Sequence, residues 1–317
     1  MELIRRLSGL RSRHRPCVAT IGAFDGVHLG HQAVLAQMKA MAARLELPST
    51  LITFEPLPRE YLFPQDMPAR LTPLREKFVA LRNCGVDRLL CLRFDEQLRE
   101  TSARDFAEDV FVRGLGIRSL ILGDDFRFGR AREGDLPMMK TLGEQFGFEV
   151  QSTETIVSGS GRISSTRIRE HLTAGEFEKA GDLLGRPFSL SGRVCHGRAL
   201  GRQLGAPTAN IALRRLVSPI KGVFAVQVYG AGLDGAAGVA NIGSRPTVSA
   251  GSNYNVEVHL LDREQDLYGQ RLEVVPRKML RPEKRFESLD ALREQIGIDA
   301  ENARRFFAAV EEVREGP

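Results

Sequence analysis

No glycine in this chain is followed by lysine, so it holds no Walker A loop. Any phosphate chemistry must rest on other groups. Cysteine is scarce: Cys17, Cys84, Cys91 and Cys195 are scattered over 317 residues without metal-site spacing. That excludes a zinc ribbon or a disulfide scaffold and points to reduced thiols in a cytoplasmic protein. No apolar run approaches the ~20 residues that span a bilayer. The arginines near the N-terminus have no apolar segment behind them, so a signal peptide is not expected. A large excess of one charge is also missing. The net charge is +5, with 26 basic and 25 acidic side chains over residues 1–184 and 19 and 15 over 185–317. Nucleic-acid binding shows a concentrated basic patch, which this chain lacks. Small phosphorylated substrates explain the balance at least as well, and no obligate protein partner is evident.

What is present is an ordinary soluble composition, 42% hydrophobic and 27% charged, in a chain long enough for two cores. Its most informative run is Thr20-Ile21-Gly22-Ala23-Phe24-Asp25-Gly26-Val27-His28-Leu29-Gly30-His31. An apolar stretch ends in a glycine turn, and two histidines three apart then open a helix. Three residues is nearly one helical turn, so His28 and His31 can face the same way. The free N–H groups and positive dipole end of that helix point at the same spot. A lone histidine there would only cap the helix. Two at this spacing, behind a strand and a glycine turn, point to phosphate binding. Val34, Met38, Met41 and Leu45 supply the helix with one apolar stripe.

The first half alternates strands, expected at 17–21, 50–54, 88–92, 119–122 and 149–151, with helices at 30–45, 73–83, 103–113 and 136–146. That rhythm predicts right-handed βαβ units and a parallel sheet covered on both faces. Ligands of such sheets bind at the carboxyl ends of the strands, where Gly22, Phe54 and Gly123 stand. Two short helices divided by Gly175 are expected over 165–184. Gly185 and Pro187 then mark a stop, and with it a domain boundary. In Arg162-Ile163-Ser164-Ser165-Thr166-Arg167-Ile168-Arg169, three hydroxyls sit at a helix start ahead of arginines. They can hold phosphate oxygens, with a charge-assisted pair from Arg167, or simply cap the helix. Ser158-Gly159-Ser160-Gly161 before them reads as a mobile loop.

The second half has frequent glycine and short strand-like runs, at 188–194, 222–229, 237–241, 255–261 and 271–275. These predict a small antiparallel barrel. Ser288 can cap one short helix carrying Leu289, Leu292 and Ile296. Asp299 can cap a second, with Ala303, Phe306, Phe307 and Val310 on one face against the barrel. Gly230-Ala231-Gly232-Leu233-Asp234-Gly235 matches GxGxxG, but a second strand follows it and not a helix, so it reads as a hairpin loop.

The paired histidines resemble the HxGH nucleotidyltransferase superfamily. With Thr53-Phe54-Glu55-Pro56, Gly123-Asp124-Asp125-Phe126-Arg127-Phe128-Gly129 and the 163–169 run, the first half resembles the FMN adenylyltransferase half of bacterial bifunctional riboflavin kinase/FAD synthetases. The resemblance implies a Rossmann-like α/β domain over 1–184. It implies an ATP site of Gly22, Phe24, Asp25, His28, His31, Ser164, Thr166 and Arg167, with Phe54, Asp125 and Phe126 near the flavin or nucleotide. Two positions depart from that pattern: Ala23 stands where asparagine is usual, and Leu57 where histidine is usual.

Residues 185–317 resemble the same family's riboflavin kinase. The likeness runs through 192–197, Gly201-Arg202-Gln203-Leu204-Gly205-Ala206-Pro207-Thr208-Ala209-Asn210, 238–247, 257–262, 266–269 and Leu280-Arg281-Pro282-Glu283-Lys284. Here Gly197, Gly201 and Gly205 can form a loop whose N–H groups approach phosphates. Thr208 and Asn210 offer neutral oxygens suited to a magnesium ion held mostly by water and ATP. Glu257, on a strand, can take a proton from an attacking hydroxyl. The resemblance makes that hydroxyl the ribityl 5′-OH of riboflavin and places Arg281 and Glu283 at the flavin. It implies ATP and riboflavin as substrates, with FMN and FAD as products. Two other readings stay open: a different nucleotidyltransferase whose barrel only binds substrate, and a flavin- or RNA-binding regulator without catalysis.

Overall fold

The computed structural model describes all residues except 154–156, 159–160, 198–204, 214–216, 246–252, 264 and 316–317. The chain forms two compact units, Met1–Pro68 with Thr72–Ser165, and Ala69–Leu71 with Thr166–Pro317.

The first unit is built on a parallel sheet of six strands: β1 (Glu2–Arg5), β2 (Cys17–Ile21), β3 (Ser49–Glu55), β4 (Arg88–Arg93), β5 (Ile117–Gly123) and β6 (Glu149–Thr153). They lie in the order β1-β4-β3-β2-β5-β6. All five residues of β2 are buried, as a strand covered on both faces requires. Helix α1 (Leu29–Arg44) follows β2. It turns Leu35, Met38, Met41 and Ala42 inward, while Leu45 lies past its end and is 39% exposed. The expected stripe is thus rotated, and Leu35 takes the place of Leu45. Helices α2 (Pro58–Leu62), α3 (Leu74–Asn83), α4 (Glu96–Glu100), α5 (Ala103–Phe106) and α6 (Leu136–Phe146) complete the layers. Past α5 the chain widens into a π-helix, Ala107–Leu115, which Gly116 ends at φ 55°. The edge strand β1 pairs parallel with β4 through Glu2↔Arg88 and Ile4↔Leu90. A two-residue hairpin, β7 (Val157–Ser158) and β8 (Gly161–Arg162), precedes α7 (Ser165–Thr173).

The second unit holds α7 from Thr166 onward, α8 (Phe177–Leu184) and a closed barrel. The barrel strands are β9 (Leu190–Cys195), β10 (Ala209–Ala212), β11 (Gly222–Gly230), β12 (Leu233–Arg245), β13 (Asn253–Leu260) and β14 (Arg271–Arg281). They close in the order β10-β13-β12-β11-β14-β9, every pair antiparallel. Ile211, Val226, Val256, Val258 and Val274 fill the interior at 0–1% exposure. The Gly230–Gly235 segment is the expected hairpin: Gly230 pairs with Leu233, and Gly230, Ala231 and Gly232 all have positive φ.

The C-terminal helices need correction. Ser288 does cap a helix, accepting from the Ala291 N–H at 3.1 Å. That helix, α9, then runs unbroken over Leu289–Glu315. Asp299 starts no second helix, because its carboxylate is taken by the Arg281 guanidinium, not by backbone N–H groups. Of the expected apolar face, Ala303, Phe306 and Phe307 pack with Ala225 and Leu261, and Ala300 joins them in that cluster in place of Val310.

Candidate active sites

The turn after β2 carries the first site. His28 is the N-cap of α1, and its Nδ1 accepts from the His31 N–H at 3.3 Å. That bond fixes the orientation of the His28 ring at the helix start. The two imidazoles stack at 3.6 Å with 16° between planes, and Phe24 backs His31 at 4.6 Å. Gly30 is small for a reason: a Cβ there would meet the His28 ring at 3.2 Å. At Gly22 a Cβ would meet the Phe24 ring at 3.1 Å. His31 is held well below the usual imidazole range, first by burial, then by the charges of His28, Lys77 and Arg162. It is therefore neutral near pH 7. Its Nδ1 is buried without a hydrogen-bond partner among the described residues, an open position beside the free N–H groups of the helix start.

The turn is held from behind. The Asp25 carboxylate accepts from the Thr72 N–H at 2.9 Å, and Thr72 Oγ1 accepts from the Gly26 N–H at 2.8 Å. Ser165 Oγ donates to the Asp25 carbonyl at 2.8 Å. These bonds stabilise a turn in which Phe24 and Val27 adopt φ of 45° and 46°, strained values for such residues. Phe54 ends β3, and Asp125 and Phe126 follow β5, so the sheet order sets these groups on either side of the histidine turn. Phe54 meets Phe94 edge-on at 5.9 Å, and Phe126 stacks on Phe128 at 5.2 Å. Asp125 pairs with Arg162 at 2.7 Å. Thr166 and Arg167 stand in the first turn of α7, and Ser164 directly precedes it; the two units divide between Ser165 and Thr166.

The second site is a row across the barrel. Asn210 on β10 lies opposite Glu257 on β13, which lies opposite Asn241 on β12. Directly opposed residues share a face, while the alternate residues Val256 and Val258 point into the core. Through Val223 the row continues to Arg281 on β14. A cleft of about 850 Å³, counting its open mouth, is lined here by Thr208, Asn241, Glu257, Arg281, Glu283 and Asp299 among others. The Asn210 amide is set by Asn255, whose Nδ2 donates to Oδ1 at 3.3 Å. At Gly197 a Cβ would sit 2.4 Å from Asn210 Nδ2, so any larger residue must displace the Asn210 side chain. Gly205 uses its freedom at φ 78°. Gly201 lies outside the described residues. Glu283 pairs with Lys221 at 3.3 Å.

Two family models divide the chain as its two sites do. FAD synthetase matches residues 10–167, and riboflavin kinase matches 184–307. The bifunctional riboflavin kinase/FMN adenylyltransferase of Escherichia coli K12 is 49% identical over 97% of this chain and 98% of its own length. The chain belongs to the bifunctional riboflavin kinase/FMN adenylyltransferase family. Relatives of the same name from Pseudomonas fluorescens and Haemophilus influenzae are 48% and 44% identical, each over 97% of this chain and 98% and 99% of their own. The solved structure of a macrolide-efflux protein from Streptococcus pneumoniae also superposes, with a TM-score of 0.78 and 29% identity, over 96% of this chain and 99% of that one. Among the described residues here, no helix is long and apolar enough to cross a membrane.

Within this family frame, sequence reasoning misses four residues. Asn241 shares the Glu257 row, and Arg162 reaches Asp125 from β8. Thr72 holds the histidine turn. Lys77 is the fourth: it is fully buried, and its Nζ donates to the Ala23 carbonyl at 2.6 Å. Its signal is visible in retrospect, since Lys77 shares the inward stripe of α3 with Leu74, Phe78 and Leu81. The two positions that depart from the family pattern are placed as well. Ala23 contributes its carbonyl, which also accepts from Thr53 Oγ1 at 3.4 Å. Leu57 is buried at the start of α2.

Proposed function

We propose that the chain's two reactions run in separate halves, 1–184 and 185–317, on the residues named below. The enzyme phosphorylates riboflavin with ATP to FMN. It then joins FMN to the AMP moiety of a second ATP, giving FAD and pyrophosphate. The observation that carries the division is that the stacked imidazoles lie in the stretch matched by FAD synthetase and the Glu257 row in the stretch matched by riboflavin kinase.

In the kinase half, Glu257 accepts the proton of the ribityl 5′-hydroxyl as its oxygen attacks the γ-phosphorus. Gly197, Gly201 and Gly205 are the glycines whose backbone N–H groups would serve the phosphates. Arg281 and Glu283 border the flavin. Thr208 and Asn210 are the groups that would hold magnesium. Among the described residues no cluster of three His, Cys, Asp or Glu forms a metal cage. The neutral oxygens present fit an ion held chiefly by water and phosphate. Bound there, magnesium would neutralise charge on the phosphates.

In the adenylyltransferase half, the FMN phosphate attacks the α-phosphorus and no residue is needed as a covalent nucleophile. His28, His31, Ser164, Thr166 and Arg167 are the residues that would grip the triphosphate. Gly22, Phe24 and Asp25 shape the turn behind them. Phe54, Asp125 and Phe126 border the flavin. Catalysis is then positioning plus charge stabilisation, and losing one donor costs ~10²-fold or more in rate. The four free cysteines agree with a reducing, cytoplasmic setting.

The test is a chromatographic assay of the purified chain with ATP and magnesium, started from riboflavin or from FMN. Glu257→Gln should abolish FMN formation and leave conversion of FMN to FAD nearly intact. His31→Ala should do the reverse. Equal loss of both activities in either variant contradicts separate sites.

A further inference from the structure

A fully buried lysine is rare, because its ammonium must find compensation inside the protein. Lys77 is among the largest fully buried side chains of this chain. Its Nζ ends on the Ala23 carbonyl, at the apex of the turn that leads to His28. Thr53 Oγ1 reaches the same carbonyl. One short stretch therefore grips the turn twice: Thr72, ahead of α3, holds Asp25 and Gly26, and Lys77, within α3, holds Ala23. The turn needs such support, since Phe24 and Val27 both carry positive φ.

Position also gives the ammonium an electrostatic role. Its charge is felt at His31, together with those of His28 and Arg162. Arg162 is itself paired with Asp125. In a dry interior a fixed cation acts at longer range than it would in water. A developing pyrophosphate leaving group beside the imidazoles would lie in that field.

We propose that Lys77 is a positioning residue for adenylyl transfer: its buried ammonium fixes the Ala23 carbonyl, and with it the turn that presents His28, and it sets a positive charge behind the paired imidazoles. This rests on the reading of His28 and His31 as the triphosphate grip. It assigns the turn's rigidity to a helix that contributes no group to the triphosphate itself. It also explains why the side chain at position 23 can be alanine here, since that residue acts through its carbonyl.

The experiment uses the full chain, with Lys77→Met to keep volume without charge, Lys77→Arg to keep charge, and His31→Ala as reference. Lys77→Met should lower kcat for FAD formation from FMN at least about tenfold, with a smaller change in the KM for ATP. Riboflavin phosphorylation in the same sample should stay within about twofold of the unaltered chain. Lys77→Arg should recover part of the lost kcat. NMR titration of the imidazoles, with Lys77→Arg beside Lys77→Met, separates loss of the charge from a change in packing. In the unaltered chain His31 should titrate well below 6.5, and in Lys77→Met its midpoint should rise. An unchanged kcat in Lys77→Met, no recovery in Lys77→Arg, or an unaltered chain whose His31 titrates near 6.5 each overturns the proposal. If His31→Ala keeps full FAD formation, the grip itself is wrong. If His31→Ala fails and Lys77→Met does not, only the role of Lys77 is wrong.

Discussion

Asp299 clasps the Arg281 guanidinium through three hydrogen bonds of 2.8–3.1 Å, fastening the end of β14 to the middle of α9. The carboxylate is 5% exposed and the guanidinium 19%. Removing one partner of a pair this dry strands the other, at a cost of roughly 3–5 kcal/mol. Asp299→Ala should therefore lower the melting temperature by several degrees. Because both residues line the kinase cleft, it should also raise the KM for riboflavin, with FMN-to-FAD conversion unaffected. A melting curve and the two-step assay check this. An unaltered melting temperature would show the pair to be idle.

Gly197 and Asn210 make a second coupled pair. A methyl at position 197 would fall 2.4 Å from Asn210 Nδ2, inside any real contact. Gly197→Ala should turn the Asn210 amide out of its row and cost riboflavin phosphorylation at least about tenfold. The barrel should still fold, because Asn210 lies on the face away from its core. Circular dichroism beside the kinase assay tests both halves of the statement.

The buried imidazole sets a pH dependence. His31 is held well below the usual 6.5, with burial the first cause and the His28, Lys77 and Arg162 charges following. In the unfolded chain it titrates at its ordinary value. As pH falls through 6.5, the unfolded state takes up a proton that the folded state refuses, so stability falls. Above that range neither state holds the proton and the loss vanishes. His31→Gln should flatten this part of the curve of melting temperature against pH between about 7.5 and 5. An identical slope in the variant would assign the loss to other groups.

Thiol chemistry separates two of the cysteines. Burial pushes the Cys17 thiol up to about 11, while Cys195 is exposed at the end of β9. Cys195 lies directly opposite Asn210, so an adduct there crowds the kinase row. A bulky thiol reagent at pH 8 should label Cys195 first and inhibit FMN formation, leaving FAD formation from FMN intact. Cys17 should react only after unfolding. Mass mapping of the labelled chain decides.

The alternation of strand and helix was readable because buried parallel strands and amphipathic helices write their pattern locally; β2 and α6 fall where that pattern predicts. Strand β1 did not write one, since four residues with only Ile4 buried gain their structure from a distant partner, β4. The division of α9 failed for a related reason. An aspartate caps a helix only when its carboxylate is free to do so, and Arg281 claims it from 18 residues away. The histidine pair was legible as chemistry, but its support was not. Thr72 and Lys77 lie far along the chain from the turn they hold, and no spacing rule joins them to it.

The closed barrel also constrains how this gene can drift. Glu257 sits between two registered neighbours, Asn210 and Asn241, and no free edge lets β13 slide. Side chains alternate along a strand, so one inserted or deleted residue within β13 ahead of position 257 would aim the carboxylate at the barrel core and bring a valine out in its place. Many substitutions on that strand can be absorbed singly. A change in its length cannot, and lineages that keep the kinase should vary in the connections between strands while the residue count of β13 stays fixed.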